Sequence, residues 1–177
     1  MSKPKIYICC SNKLTDVLTS MSARFELTAD IRSEHIGKDK DLRISAHPPE
    51  HMELDQQMID SSDTVVLLVS NNDSKNQLAR SSWTAGYARS AGVPIVLWIE
   101  PYDTIPDPLV QRYDLCLIYD KMDRIGPITR EYGRAKLRIL HETIHVAKEY
   151  QVKKRFRLFR EVTLAICLIA LVVGLSI

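Results

Sequence analysis

Residues 162–177, VTLAICLIALVVGLSI, run for sixteen positions without a single charge, and no other feature restricts so strongly what the chain can become. A helix needs about 20 predominantly apolar residues, range roughly 17–25, to span a bilayer, so the run alone is slightly short. Phe156, Leu158 and Phe159 extend its apolar surface, and the arginines between them can snorkel toward headgroups. Lys153, Lys154, Arg155, Arg157 and Arg160 place five cations in the eight residues just ahead of it. Basic flanks stay on the cytoplasmic side. The pattern therefore predicts a membrane protein with a single-pass tail anchor, a cytoplasmic domain before it, and those five cations at the lipid surface. The competing reading is a buried core helix, but core helices rarely lack a polar face.

The rest of the 177 residues suffices for one soluble domain. With 45% hydrophobic and 26% charged residues the chain is globular rather than disordered. A net charge of +2 is too small to argue for nucleic acid as a partner by itself, and the cations clustered beside the apolar tail fit anionic lipid better, so no nucleic acid is expected. Cys9, Cys10, Cys116 and Cys167 make no C-x-x-C pair and two of them sit in an apolar run, which is free-thiol usage in a reducing compartment. The first residues contain no apolar stretch of the secretory type.

Short apolar runs alternate with helix-length segments. Residues 5–11 (KIYICCS), 64–70 (TVVLLVS), 94–99 (PIVLWI) and 114–119 (DLCLIY) read as strands, and 27–31 as a further one. Residues 12–25 carry Leu14, Val17, Leu18, Met21 and Phe25 at helical spacing. Pro49 suits the start of a helix through Ile59. Residues 77–91 read as a helix stopped by Gly92, the polar stretch 32–49 as an irregular loop, and 129–150 as a long helix continuing into the apolar tail. Strands apolar throughout, joined by crossover helices, predict an α/β fold with a parallel sheet covered on both faces. Five strands in this rhythm point to a flavodoxin-like three-layer sandwich of order 2-1-3-4-5.

Such sheets bind ligands at the carboxyl ends of their strands. The candidates there are Ser11 and Asn12 after the first strand, and Asp30 and Arg32 after the second. Ser70, Asn71, Asn72 and Asp73 follow the third strand, and Glu100 and Asp103 the fourth. Asparagine and aspartate also favour turns for local reasons, so 71–73 is open to a purely structural explanation.

The stretch 59–100 resembles bacterial-type TIR domains. An Ile-Asp-Ser-Ser-Asp turn precedes TVVLLVS, Ser81, Ser82 and Trp83 fit the following loop, and Gly92, Val93, Pro94 and Ile95 fit the lead into the next strand. Lys5, Ile6, Tyr7, Ile8 and Ser11 look like the first TIR strand. Trp83, Gly86, Tyr87 and Ala88 are also similar to nucleoside 2-deoxyribosyltransferases. Both resemblances, spanning about residues 4–120, imply contact of Ser82, Trp83 and Thr84 with a nucleotide-type ligand. They also imply N-glycosidic chemistry on NAD or a nucleoside as substrate, with no separate cofactor. Both families place a glutamate in the helix after the third strand to steady the sugar cation. Here the matching positions are Thr84, Gly86 and Tyr87, and residues 77–99 hold no acid. A catalytic carboxylate would have to come from Asp73 or Glu100.

His141, Glu142 and His145 spell H-E-x-x-H, which on a helix can hold zinc; His141 borders the stripe formed by Leu137, Leu140, Ile144 and Ala147, and five-residue patterns arise by chance, so no metal is assigned. The resulting expectation is a TIR-like domain over 1–126, a long helix over 127–152, a basic segment over 153–160 and a membrane anchor over 161–177. It binds a nucleotide-type ligand or self-assembles as a homo-oligomer in signalling or defence. The alternatives are an N-glycosidase with a relocated carboxylate and, remotely, a zinc hydrolase.

Overall fold

The computed structural model describes residues 3–10, 30–32, 49–70, 73–99, 105–118 and 130–174. Five parallel strands, β1 (Lys5–Cys10), β2 (Asp30–Arg32), β3 (Thr64–Val69), β4 (Ile95–Ile99) and β5 (Leu115–Ile118), lie in the order β2-β1-β3-β4-β5. Helices α1 (Pro49–Asp60), α2 (Lys75–Ser90) and α3 (Arg130–Gly174) accompany them, with a short 3-10 turn at Asp107–Leu109. β2 comprises Asp30–Arg32 itself, so Asp30 opens that strand instead of following it. The expected helix over 12–25, most of the polar stretch, and Ser11, Asn12, Asn71, Asn72, Glu100 and Asp103 lie outside the described residues.

Side chains alternate across a strand with period two, and here both sets are apolar. Ile6, Ile8, Val66, Leu68, Val96 and Trp98 face one way and pack against Ile139, Leu140 and Ala147 of α3. Tyr7, Cys9, Val65, Leu67, Val69, Ile95 and Leu97 face the other way, against Ile59 of α1 and Ala85 and Ala88 of α2. Every residue of β3 and β4 is buried. Each fully buried aliphatic side chain contributes roughly 1.5–3 kcal/mol, so the double cover supplies most of the driving force.

The start of α2 is set locally. Ser74 caps it: its hydroxyl accepts from Gln77 N at 3.3 Å while Gln77 Oε1 accepts from Ser74 N at 2.8 Å. This reciprocal cap starts the helix at Lys75, ahead of the apolar periodicity that marks residue 77. Its end matches expectation. Gly92 takes φ +70°, a left-handed value that glycine adopts without strain, and Gly92 N and Val93 N donate back to Arg89 O and Ala88 O.

Two aspartates close the amino-end edge of the sheet. Asp63 Oδ2 accepts from Lys5 N at 2.8 Å, and Asp114 Oδ2 from Ile95 N at 2.7 Å. Asp63 Oδ2 also accepts from Gln151 Nε2 at 2.7 Å, fastening α3 to that edge. Near the opposite edge, Trp98 Nε1 donates to the buried Thr143 Oγ1 at 3.2 Å, which donates to Ile139 O at 2.8 Å. The helix thus runs antiparallel to the strands and leaves the sheet beyond Val152. From Lys153 to Val172 every residue is exposed, and among the described residues no helix is long and apolar enough to cross a membrane.

Replacing Thr143 with valine removes the buried hydrogen bond between Trp98 Nε1 and Thr143 Oγ1, a loss of about 0.5–1.5 kcal/mol. Urea denaturation of T143V should show that drop. Unchanged stability would mean that this bond does not hold α3 to the sheet.

Candidate functional site

At the carboxyl end of β3 the chain turns tightly. Ser70 is buried, its N–H donates to Asp73 Oδ2 at 2.9 Å, and Asp73 N donates to Ser70 O at 3.0 Å. The carboxylate of Asp73 therefore shapes the turn that feeds α2. Asp30 and Arg32 lie on β2 at register positions opposite Lys5 and Tyr7.

Below this edge, between the sheet and the two helices, lies a polar cluster that no sequence motif announces. Asp55 of α1 is only 3% exposed. Its carboxylate accepts from Tyr7 Oη at 2.8 Å and pairs with Arg80 of α2, whose Nη2 lies 3.1 Å from both oxygens. Burying such an ion is costly unless it is paired and hydrogen-bonded; Asp55 is both. Alongside, Thr84 Oγ1 lies 3.9 Å from Cys9 Sγ as its donor, and Ser81 is buried next to them. The group joins β1, α1 and α2. The sequence carried one trace of it: Asp55 stands on the inward stripe of α1 three residues after Met52 and four before Ile59, where a carboxylate needs an internal partner.

Burial pushes the Tyr7 hydroxyl far above its ordinary value, with Cys9 and Asp55 adding to the effect and Arg80 opposing it. Burial likewise raises the Cys9 thiol, against the pull of Arg80. Cys9 is thus a neutral thiol at physiological pH and a poor nucleophile.

Three successive helical residues cannot share a face, and Ser82, Trp83 and Thr84 divide accordingly. Thr84 points into the polar cluster. Ser82 accepts from Arg112 Nη1 at 3.1 Å, and Trp83 stacks on Tyr87 with ring centroids 5.6 Å apart and planes 13° from parallel. With Ala79, Gly86 and Ser90 they line an open groove on the outer side of α2. Tyr87 Oη donates to Asp60, and partial desolvation followed by that bond raises its titration point. Of the positions matching the family glutamate, only Thr84 faces inward; Gly86 and Tyr87 belong to the outer groove.

His141 and His145 are exposed, and Thr143 between them turns inward to Trp98. Among the described residues no group of three or more histidine, cysteine or acidic side chains could hold a metal. The basic residues from Lys153 to Arg160 are all exposed; Lys154 Nζ lies 5.8 Å from the Tyr150 ring centroid and Arg157 pairs with Glu161 at 3.0 Å.

No protein-family model matches the chain, and no curated protein matches it. Solved structures of similar fold include a 2-deoxyribosyltransferase from Bacillus psychrosaccharolyticus, 14% identical, TM-score 0.48, covering 72% of this chain and 93% of its own. A CMP N-glycosidase from Clostridium botulinum is 13% identical with TM-score 0.44, covering 65% and 88%. A conserved protein from Enterococcus faecalis V583 is 13% identical with TM-score 0.47, covering 84% and 99%.

Two outcomes test the cluster. Asp55→Ala removes one partner of a buried ion pair and the acceptor of the Tyr7 hydroxyl and should cost about 3–5 kcal/mol, read from denaturant midpoints; a loss below 1 kcal/mol would contradict the pairing. The second is alkaline stability. Both raised groups keep their protons in the folded chain, whereas the unfolded chain releases them from about pH 9.0 at Cys9 and 10.0 at Tyr7. Stability is therefore intact below pH 9 and falls as pH climbs beyond it. Tyr7→Phe should flatten the part of that fall above pH 10.

Proposed function

We propose that this domain binds a nucleoside or nucleotide at the carboxyl ends of β1 and β3 and acts on its N-glycosidic bond by cleavage or transfer. The observation that carries this reading is the buried Tyr7–Asp55–Arg80 cluster beside Thr84. It sets a carboxylate and a cation rigidly under the edge where ligands of doubly wound sheets bind. Two of the similarly folded proteins are named for chemistry of this class, but the argument rests on the residues.

The chemistry needs little. The C–N electron pair leaves with the base, which takes up a proton, and a water or hydroxyl oxygen captures the sugar cation. A carboxylate close to the ring oxygen lowers the barrier because the transition state carries positive charge there. Asp73 and Glu100 at the strand ends are the candidates for that contact. Asp55, held by Tyr7 and Arg80, is the alternative that the fold adds. Ser11, Asn12, Arg32, Ser70, Asn71, Asn72 and Thr84 are the proposed ligand contacts; Asp30, at the amino end of β2 beside Lys5, lies away from that edge, and Ser82 and Trp83 face the outer groove.

A second reading is ligand sensing or self-assembly without turnover, as in a TIR-like signalling or defence module. It is favoured by Thr84, a neutral hydroxyl on the inner face of α2 where the related families carry a glutamate.

We further propose that the helix beyond Val152 sits in a membrane: its described apolar part falls short of a full span, and snorkelling of the flanking arginines would supply the rest. Phe156 is 71%, Phe159 71%, Ile166 61% and Val172 65% exposed, and these side chains occupy different faces of one helix. A bilayer covers all faces at once; packing on the domain covers none of them here.

Full-length protein in bilayers, given NAD or a panel of nucleosides, should release free base. Asp73→Ala, Glu100→Ala and Asp55→Asn identify the carboxylate by a loss of about 100-fold or more. Absence of base release at high protein concentration, with ligand bound, selects the sensing reading. After lysis the chain should sediment with membranes and need detergent for release; recovery in the supernatant would overturn the anchor.

A further inference from the structure

The direction of α3 has a consequence for how the domain meets lipid. Thr143 docks at Trp98, one residue from the carboxyl end of β4, while Gln151 docks at Asp63, just before β3 begins. The helix therefore leaves the sheet at its amino-end edge, opposite the proposed ligand crevice. It then continues without interruption to Gly174. Between Gly133 and Gly174 the sequence has neither glycine nor proline, and kinks arise mainly at such residues. The Tyr150–Lys154 and Arg157–Glu161 pairs further support the same stretch.

From Val152 to Val162 the rise is about 15 Å. Lys153, Lys154, Arg155, Arg157 and Arg160 all lie within this interval, exposed. Lys3 and Lys5 are exposed at the same edge, where Asp60, Asp63 and Asp114 are the acidic residues beside them. An anionic lipid surface matches such a collar followed directly by an apolar segment.

We propose that the amino-end edge of the sheet is the membrane-facing surface. A rigid basic stalk holds it about 15 Å above an anionic lipid headgroup layer, with the carboxyl-end crevice turned to the aqueous side. This inference rests on the membrane assignment made above. It adds that the domain does not tumble on a loose tether: sheet, stalk and anchor move as one body, so a soluble ligand reaches the crevice without passing the lipid surface.

The ends of α2 supply the ruler. Asn76 lies at the carboxyl-end edge and Ala91 at the amino-end edge, both exposed, and about 22 Å of helix separates them. A genetically encoded fluorophore is placed at Asn76 or at Ala91 in the full-length protein. Each version is reconstituted in vesicles of phosphatidylcholine and phosphatidylglycerol carrying a headgroup acceptor dye. Transfer from Ala91 should exceed transfer from Asn76, and a four-glycine insertion after Val152 should abolish the difference while the protein stays bound. Equal or reversed transfer in vesicle-bound protein overturns the orientation and leaves the anchor standing. Failure of the unmodified chain to bind vesicles overturns both.

Discussion

A parallel sheet whose strands are apolar on both sides has to be covered twice, and the rest of this molecule follows from that requirement. One cover is the α1–α2 pair; the other is the first half of α3. Because α3 must lie across β1, β3, β4 and β5 to close the second face, its path is fixed by Trp98 at one end and Asp63 at the other. The remainder of the helix has no choice of direction. Covering a hydrophobic face thus also determines where the exposed apolar segment points.

The same requirement explains the internal ion pair. On the α1–α2 side the two helices meet over β1, and the interface contains Asp55 and Arg80 where apolar residues would pack more simply. Such pairs contribute little net stability, since desolvation offsets attraction, yet removing one partner is strongly destabilising. The pairing with Tyr7 and the closeness of Cys9 and Thr84 make the cluster a rigid floor under the strand ends. Its position, more than its energy, is what the proposed ligand site rests on.

The architecture was legible in the sequence because its signals are local. TVVLLVS and PIVLWI are apolar at every position between their ends, as doubly buried strands are; Gly92 marked the end of α2 by the conformation it permits. The beginning of α2 was misread because Ser74 and Gln77 extend the helix by capping, which apolar periodicity does not register. The polar cluster was illegible as a unit, since Tyr7, Asp55 and Arg80 lie 48 and 25 positions apart and share no motif. The motif that was legible, Ser82-Trp83-Thr84, proved to straddle two faces of one helix. Sequence spacing locates such residues on an element; only packing decides which of them look inward.

The central claim is that ligand meets this chain at the carboxyl ends of β1 and β3, above the Asp55–Arg80 pair. Hydrogen exchange of the full-length protein with and without a saturating nucleotide tests it most directly. The account predicts new protection in the turn after β3 and the first two turns of α2, with the Trp83–Tyr87 groove and α3 unchanged. Protection centred on Tyr87 and Arg112, with none around Ser70 and Arg80, would contradict it.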